Sequence, residues 1–427
     1  MKVTPLMKVA LGVAAASLLV SGCRGGSDES TTSPGITDKA CPKAVNKDNG
    51  CIYLGTISDL TKGPFAALAV PITAAQKAFW QRVNEDGGID GHDVDIETYV
   101  RDNEYNPEIH NKMYQEIRGK VLALGQTLGT SPTLAIIDDM RKDNMVGAPA
   151  SWSSAWDFDD NILESGAGYC FESMNAIDWA YTQRDDIKEV VAIGYPGDYG
   201  GDAAVGAEAG AKAHGAAYKK LETAPGQDNQ AGAVASILKE KPELVIISTG
   251  PAEMATIVGG TAAKGFTGTF IGTSPTWNPA LLKSPAAPAL EKLYFQSGPW
   301  GTWATDTPGH KAMRDALGDV TPNDGYTAGW VWSYPLLAAL KQAAEDGELN
   351  RKGLVKAAAN LDEVDYEGML PNEAGATKGD PSDVAFRQNV ISKVDPKAPT
   401  GVSIVDDFAT GKTAEAYDFS KPCFSLS

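Results

Sequence analysis

From Cys51 onward, short apolar runs with strand character alternate with stretches whose apolar residues recur at helical spacing. Ile52 to Ile57 is strand-like, and residues 66–83 then place Val70, Ile72, Ala75, Phe79 and Val83 at helical spacings until Asp86-Gly87-Gly88 stops the helix. Val94 to Val100 alternates as a strand, Pro107 opens a helix over 107–122, and Val121–Leu124 and Met145–Ala148 are short strands. Ser131-Pro132 predicts another helix start, with Ser131 as N-cap and Pro132 at the first helical position. The alternation then restarts. Strands at Glu189–Gly194, Leu244–Ser248 and Thr269–Gly272 interleave with helices at 201–214, 228–239 and 253–264. Helices over 329–345 and 353–361 and strand-like pieces in 384–408 complete the chain. Alternating β and α in both halves predicts an α/β protein of two doubly wound, Rossmann-like lobes. Right-handed crossovers put each strand-to-helix loop at one sheet edge, so two facing lobes would enclose a ligand cleft.

The N-terminus follows a different pattern. Lys2 and Lys8 precede an uncharged, mostly apolar run from Val9 to Val20, which ends in Val20-Ser21-Gly22-Cys23. Residues 1–22 are expected to be a secretory signal whose apolar run is too short to span a bilayer. A cysteine directly after small residues at the cleavage position resembles the lipobox of bacterial lipoproteins, which implies lipidation at Cys23. The competing interpretation is an ordinary signal cut near a disulfide cysteine. Arg24 to Lys39, rich in Gly, Ser, Thr and Asp, favours the lipid, and residues 23–50 are expected to form a flexible tether. The expected location is extracytoplasmic, with lipid as the only membrane contact.

The remaining 23–427 is too long for one compact core and suits two domains. A formal charge of −18 disfavours nucleic acid and anionic membrane surfaces as direct partners. Apart from Cys23, four cysteines remain in an oxidising compartment, so disulfides are expected. Three pairings are possible. Cys41–Cys51, a local staple, with Cys170–Cys423, a long closure, is the favoured set.

The segment Asn84-Glu85-Asp86-Gly87-Gly88-Ile89-Asp90-Gly91, followed by a strand and by Asp102-Asn103 with Pro107, resembles the first-domain signature of type I periplasmic binding proteins. The leucine/isoleucine/valine-binding branch is the most similar. Gly63-Pro64 and Asp198-Tyr199-Gly200 are similar to that branch too, and the resemblance spans roughly 51–410. It implies two lobes joined by a hinge of three crossings, with lobe 1 from 51–168 and 303–366 and lobe 2 from 169–302 and 367–423. It also implies capture of a small solute between the lobes and delivery to an ABC permease, by a monomer without cofactor.

The loop Leu128-Gly129-Thr130-Ser131-Pro132 offers hydroxyls and first-turn amides to a carboxylate. The resemblance implies that Thr130 and Ser131, with Ser151, Trp152 and Ser153, hold a ligand carboxylate, and that Tyr199 covers it from lobe 2. Gly250, Ser274 and Trp277 are further candidate cleft residues. The chain departs from the branch where that branch places an acid near Ser274 to pair with a ligand ammonium: Gly272-Thr273-Ser274-Pro275-Thr276-Trp277 carries none. Leu68 and Gly250 likewise stand where aromatics are expected. A buried ammonium without a counter-charge is costly, and Glu172 or Asp178 would have to replace the missing acid. An aromatic or amide-like carboxylate therefore competes with an aliphatic amino acid.

Catalysis is not expected. His92, His110, His214 and His310 lack metal-binding spacing, and neither a G-x-S-x-G elbow nor a phosphate loop occurs. Asp86 to Glu97 imitates a calcium loop, but Gly88 takes its third position and a strand follows it. A membrane-tethered sensor signalling to a kinase or regulator is the alternative to transport.

Overall fold

The computed structural model describes residues 33–197 and 199–425. The expected signal, Cys23 and the first part of the expected tether lie outside the described residues, as does Asp198.

Two sheets organise the chain. The first contains β1 (Ile36–Thr37), β2 (Gly50–Ser58), β3 (His92–Asp102), β4 (Ala123–Leu128) and β5 (Gly147–Ala150). Its parallel strands run in the order β3-β2-β4-β5, and β1 pairs antiparallel with the start of β2. The second contains β6 (Glu189–Gly194), β7 (Ala217–Glu222), β8 (Leu244–Ser248), β9 (Thr269–Gly272), β10 (Tyr294–Gly298), β11 (Asn389–Val394) and β12 (Val402–Ala409). Here β7-β6-β8-β9-β10 are parallel, and β11 and β12 add an antiparallel edge. In both sheets the first parallel strand lies inside the second, the doubly wound order that opens a crevice at the carboxyl ends of the strands. Leu244-Val245-Ile246-Ile247-Ser248 is buried throughout, which explains its unbroken apolar run.

The main helices are α1 (Ala66–Glu85), α2 (Pro107–Ile117), α3 (Thr130–Leu134), α4 (Ile137–Asp143), α5 (Tyr169–Gln183), α6 (Tyr199–Ala213), α7 (Ala231–Glu240), α8 (Pro251–Ala262), α9 (Ala287–Leu293), α10 (Pro308–Leu317), α11 (Asp324–Val331), α12 (Ser333–Glu345) and α13 (Arg351–Ala358). Asn106 caps α2 by accepting from the amides of Glu108 and Ile109, with Pro107 in the first turn. α1 and α11 nearly touch backbone to backbone. A Cβ on Gly329 would lie 2.2 Å from the carbonyl oxygen of Ile72, so only glycine fits.

Three expectations need correction. The helix over 329–345 is two helices that meet at Trp332, because Pro335 has no N–H to donate to the Val331 carbonyl. Ser131 does not cap α3. That helix starts at Thr130 after Gly129, whose φ of 98° turns the chain out of β4, and Pro132 sits within its first turn. Residues 33–50 are packed rather than loose. β1 pairs with β2, Cys41 is buried and bonded to Cys51, and the Asp93 carboxylate accepts from the amides of Val45 and Asn46 and from Asn49 Nδ2. Cys170 bonds Cys423, tying the start of α5 to the end of the described chain.

Candidate functional site

The loops that leave the carboxyl ends of β4, β5, β6, β9 and β10 converge on two adjoining chambers. The smaller lies against Phe65, Tyr105, Thr130, Ser151, Tyr169 and Tyr199. The larger lies against Trp277, Gln296, Trp300, Asp324, Val390 and Val402. Leu68, Ile72, Trp152, Pro275 and Trp332 line both and form the waist between them. The rings support one another: Trp152 lies 4.8 Å from both Trp300 and Trp332, and Tyr169 lies 4.9 Å from Tyr199.

Within these mostly apolar walls, two buried polar groups lack a partner among the described residues: Thr130 Oγ1 and Trp332 Nε1. Each is a hydrogen-bond donor left desolvated in the folded chain, an arrangement that costs stability unless something else accepts from it. Their neighbours are already engaged. Trp152 Nε1 donates to the Ser165 carbonyl, Trp277 Nε1 to the Thr400 carbonyl, and Trp156 Nε1 to Ser151 Oγ. Among the described residues no lysine, arginine or histidine lines either chamber.

Neither acid considered for an ammonium faces the chambers. Asp178 accepts from the Thr413 amide and hydroxyl and pairs with His214 in a separate groove. Glu172 accepts from the Ser274 amide at 3.0 Å, and burial pushes its carboxyl well above the usual range. Asp324, which the sequence did not single out, is the one acid among the described residues that lines the larger chamber. It accepts from the Trp303 amide at 2.8 Å and from the Thr400 hydroxyl, and burial lifts its carboxyl to about 6.

Of the residues expected at the site, Thr130, Ser151, Trp152 and Tyr199 line the smaller chamber, and Trp152, Ser274 and Trp277 the larger. Ser131, Ser153 and Gly250 line neither. Ser153 turns its hydroxyl to the Ala155 amide, and the Gly250 amide donates to Tyr195 Oη. Gly250 instead lies where the two halves meet, since a Cβ there would come 3.2 Å from Pro64 Cβ. Asn278 Nδ2 reaches the Ala67 carbonyl across the same junction. Trp332, at the junction of α11 and α12, lines both chambers and carries no signal in its own sequence surroundings.

Beside the site lies a group of acids, of which Asp202 is buried and Asp157 and Glu164 half-buried. Asp202 accepts from the Ser154 hydroxyl and amide, yet burial still raises it to about 6. Burial, reinforced by the Asp202 charge, takes Asp157 to about 7, and Glu164 is raised well above its usual range by burial and by both neighbours.

A family model described as periplasmic binding protein matches residues 52–388. The chain belongs to the periplasmic binding protein family. The expected type I architecture of two doubly wound lobes follows with it. A fatty acid ABC transporter substrate-binding protein from Thermomonospora curvata is similar in structure at a TM-score of 0.80 and 28% identity, over 90% of this chain and 96% of that one. A branched chain amino acid ABC transporter protein from Thermus thermophilus with bound valine aligns at a TM-score of 0.71 and 16% identity, over 86% and 98% of the two chains. A leucine binding protein from Thermotoga maritima aligns at 0.67 and 16%, over 83% and 97%. No curated protein matched the sequence. As a binding protein of the ABC transporter type, the chain is a ligand-binding component that works outside the cytoplasm. Among the described residues no helix is long and apolar enough to cross a membrane.

Proposed function

We propose that this binding protein captures an alkyl carboxylate, a fatty-acid-like solute without an ammonium group, and delivers it to an ABC permease while tethered by lipid at Cys23. The ligand lies between lobe 1 (51–168 with 303–366) and lobe 2 (169–302 with 367–423). Its carboxylate occupies the smaller chamber, accepting from Thr130 Oγ1 and Trp332 Nε1. Its chain passes the waist between Trp152, Leu68 and Pro275 into the larger chamber, beside Ser274 and Trp277. The observation that carries this reading is the pair of adjoining, largely apolar chambers that share wall residues, with donors at Thr130 and Trp332 that have no partner among the described residues.

An amino acid fits this site less well. Its ammonium would need a carboxylate, and the only one among the described residues that lines the chambers, Asp324, is already held by Trp303 and Thr400. The Thermomonospora protein, described as a fatty acid transporter component, supports the same ligand class. The ligand is released unchanged: closure around it draws only on the extra contacts of the closed state. Titration calorimetry on delipidated protein tests the reading. Decanoate should bind at about micromolar strength, equivalent to roughly −8 kcal/mol, while leucine and valine give no heat. Binding of leucine or valine with no response to decanoate would refute it.

A further inference from the structure

Three glycines line the larger chamber, and two of them are explained by crowding. A Cβ on Gly301 would stand 2.7 Å from Thr305 Oγ1, and one on Gly325 would stand 2.9 Å from the Leu68 carbonyl oxygen. Gly298, at the end of β10 opposite Val390, has neither constraint. Its φ lies outside the left-handed range, and a Cβ there would meet only Ser274 Oγ, at 3.5 Å. Glycine in a strand costs stability and marks a place where another backbone or a ligand comes close. No backbone does so here. The space that a side chain would fill belongs to the chamber itself, since Ser274 lines it too.

We infer that Gly298 sets how long a chain the binding protein accepts, by leaving the larger chamber open for the far end of the ligand. The inference rests on the alkyl-carboxylate reading above. A side chain at 298 shortens the chamber from beside Ser274 and leaves the Thr130 end untouched, so it discriminates by length and not by head group.

The test is calorimetry of delipidated full chain with straight-chain carboxylates from hexanoate to hexadecanoate, for the natural protein and for Gly298→Leu. In the natural protein each methylene should tighten binding about fourfold until the chamber is full. In Gly298→Leu the shortest ligands should bind within about twofold of the natural protein, and the longest at least about 30-fold more weakly, as several methylenes lose their place. Gly298→Ala adds one carbon in the same space and should move the break in the same direction by about one methylene; it decides the matter if the leucine variant fails to fold. Affinities of both variants that run parallel to the natural series at every length overturn the inference and leave the ligand class standing. A natural protein that binds no member of the series overturns the ligand class, and the inference falls with it.

Discussion

Replacing Thr130 by valine removes one hydroxyl and little else. Thr130 is 5% exposed and its Oγ1 has no partner among the described residues. The folded chain therefore bears the desolvation of that group, about 1–3 kcal/mol, without compensation. Valine relieves it, so the unliganded variant should melt no lower than the natural protein. The bound state changes in the opposite direction. A hydrogen bond to a charged acceptor is worth about 1.5–3 kcal/mol, so the variant should bind decanoate about 10- to 150-fold more weakly. Decanol presents the same chain without the charge and should lose less than about threefold. Thermal melting of the free protein with calorimetry of both ligands gives three readings on one variant. Unchanged decanoate affinity, or equal losses for decanoate and decanol, would refute the placement of the carboxylate at Thr130.

Three further outcomes are expected. Asp157, Asp202 and Asp324 are raised to about 7, 6 and 6, so the folded chain holds more protons than the unfolded one between those values and the ordinary carboxylate range. Stability should rise as pH falls from about 7.5 towards 5, then decline below about 4 as Asp102 and Asp395, whose carboxyls are held low by hydrogen bonds, take up protons; a melting temperature that fell steadily from pH 7.5 to 5 would contradict this. Replacing Cys170 and Cys423 together by serine reopens a loop of sequence separation 253 and should cost up to about 5 kcal/mol in denaturant unfolding, and no loss would show that the closure is not needed. Cys23→Ala should release the protein from cell membranes into the soluble fraction, and a variant that stays membrane-bound would remove Cys23 as the anchor.

The strands of the second half were legible because β6, β8 and β9 are short apolar runs bounded by turn residues, a pattern set by burial on both faces. β7 was not: Ala217-Tyr218-Lys219-Lys220-Leu221-Glu222 is a largely solvent-facing edge strand, and its pairing comes from β6 rather than from its own composition. α5 was missed for the opposite reason. Ten of its residues are buried, so no polar face marks a helical period. The loop at 128–132 is legible as a strand-to-helix turn from its hydroxyls and its place after a strand, although its helix begins two residues earlier than expected. Trp332 and Asp324 were invisible at that level. Each sits at a helix boundary, Asp324 at the start of α11 and Trp332 between α11 and α12, and the apolar walls arise only when α1, α11 and the loop after β10 meet.

The account turns on where an alkyl carboxylate lies, and anomalous diffraction from crystals grown with 12-bromododecanoate measures that directly. The prediction is one strong bromine peak in the larger chamber, between Trp277, Trp300 and Val402, with the carboxylate beside Thr130 and Trp332. A bromine peak beside Thr130, or none within the two chambers, would contradict it.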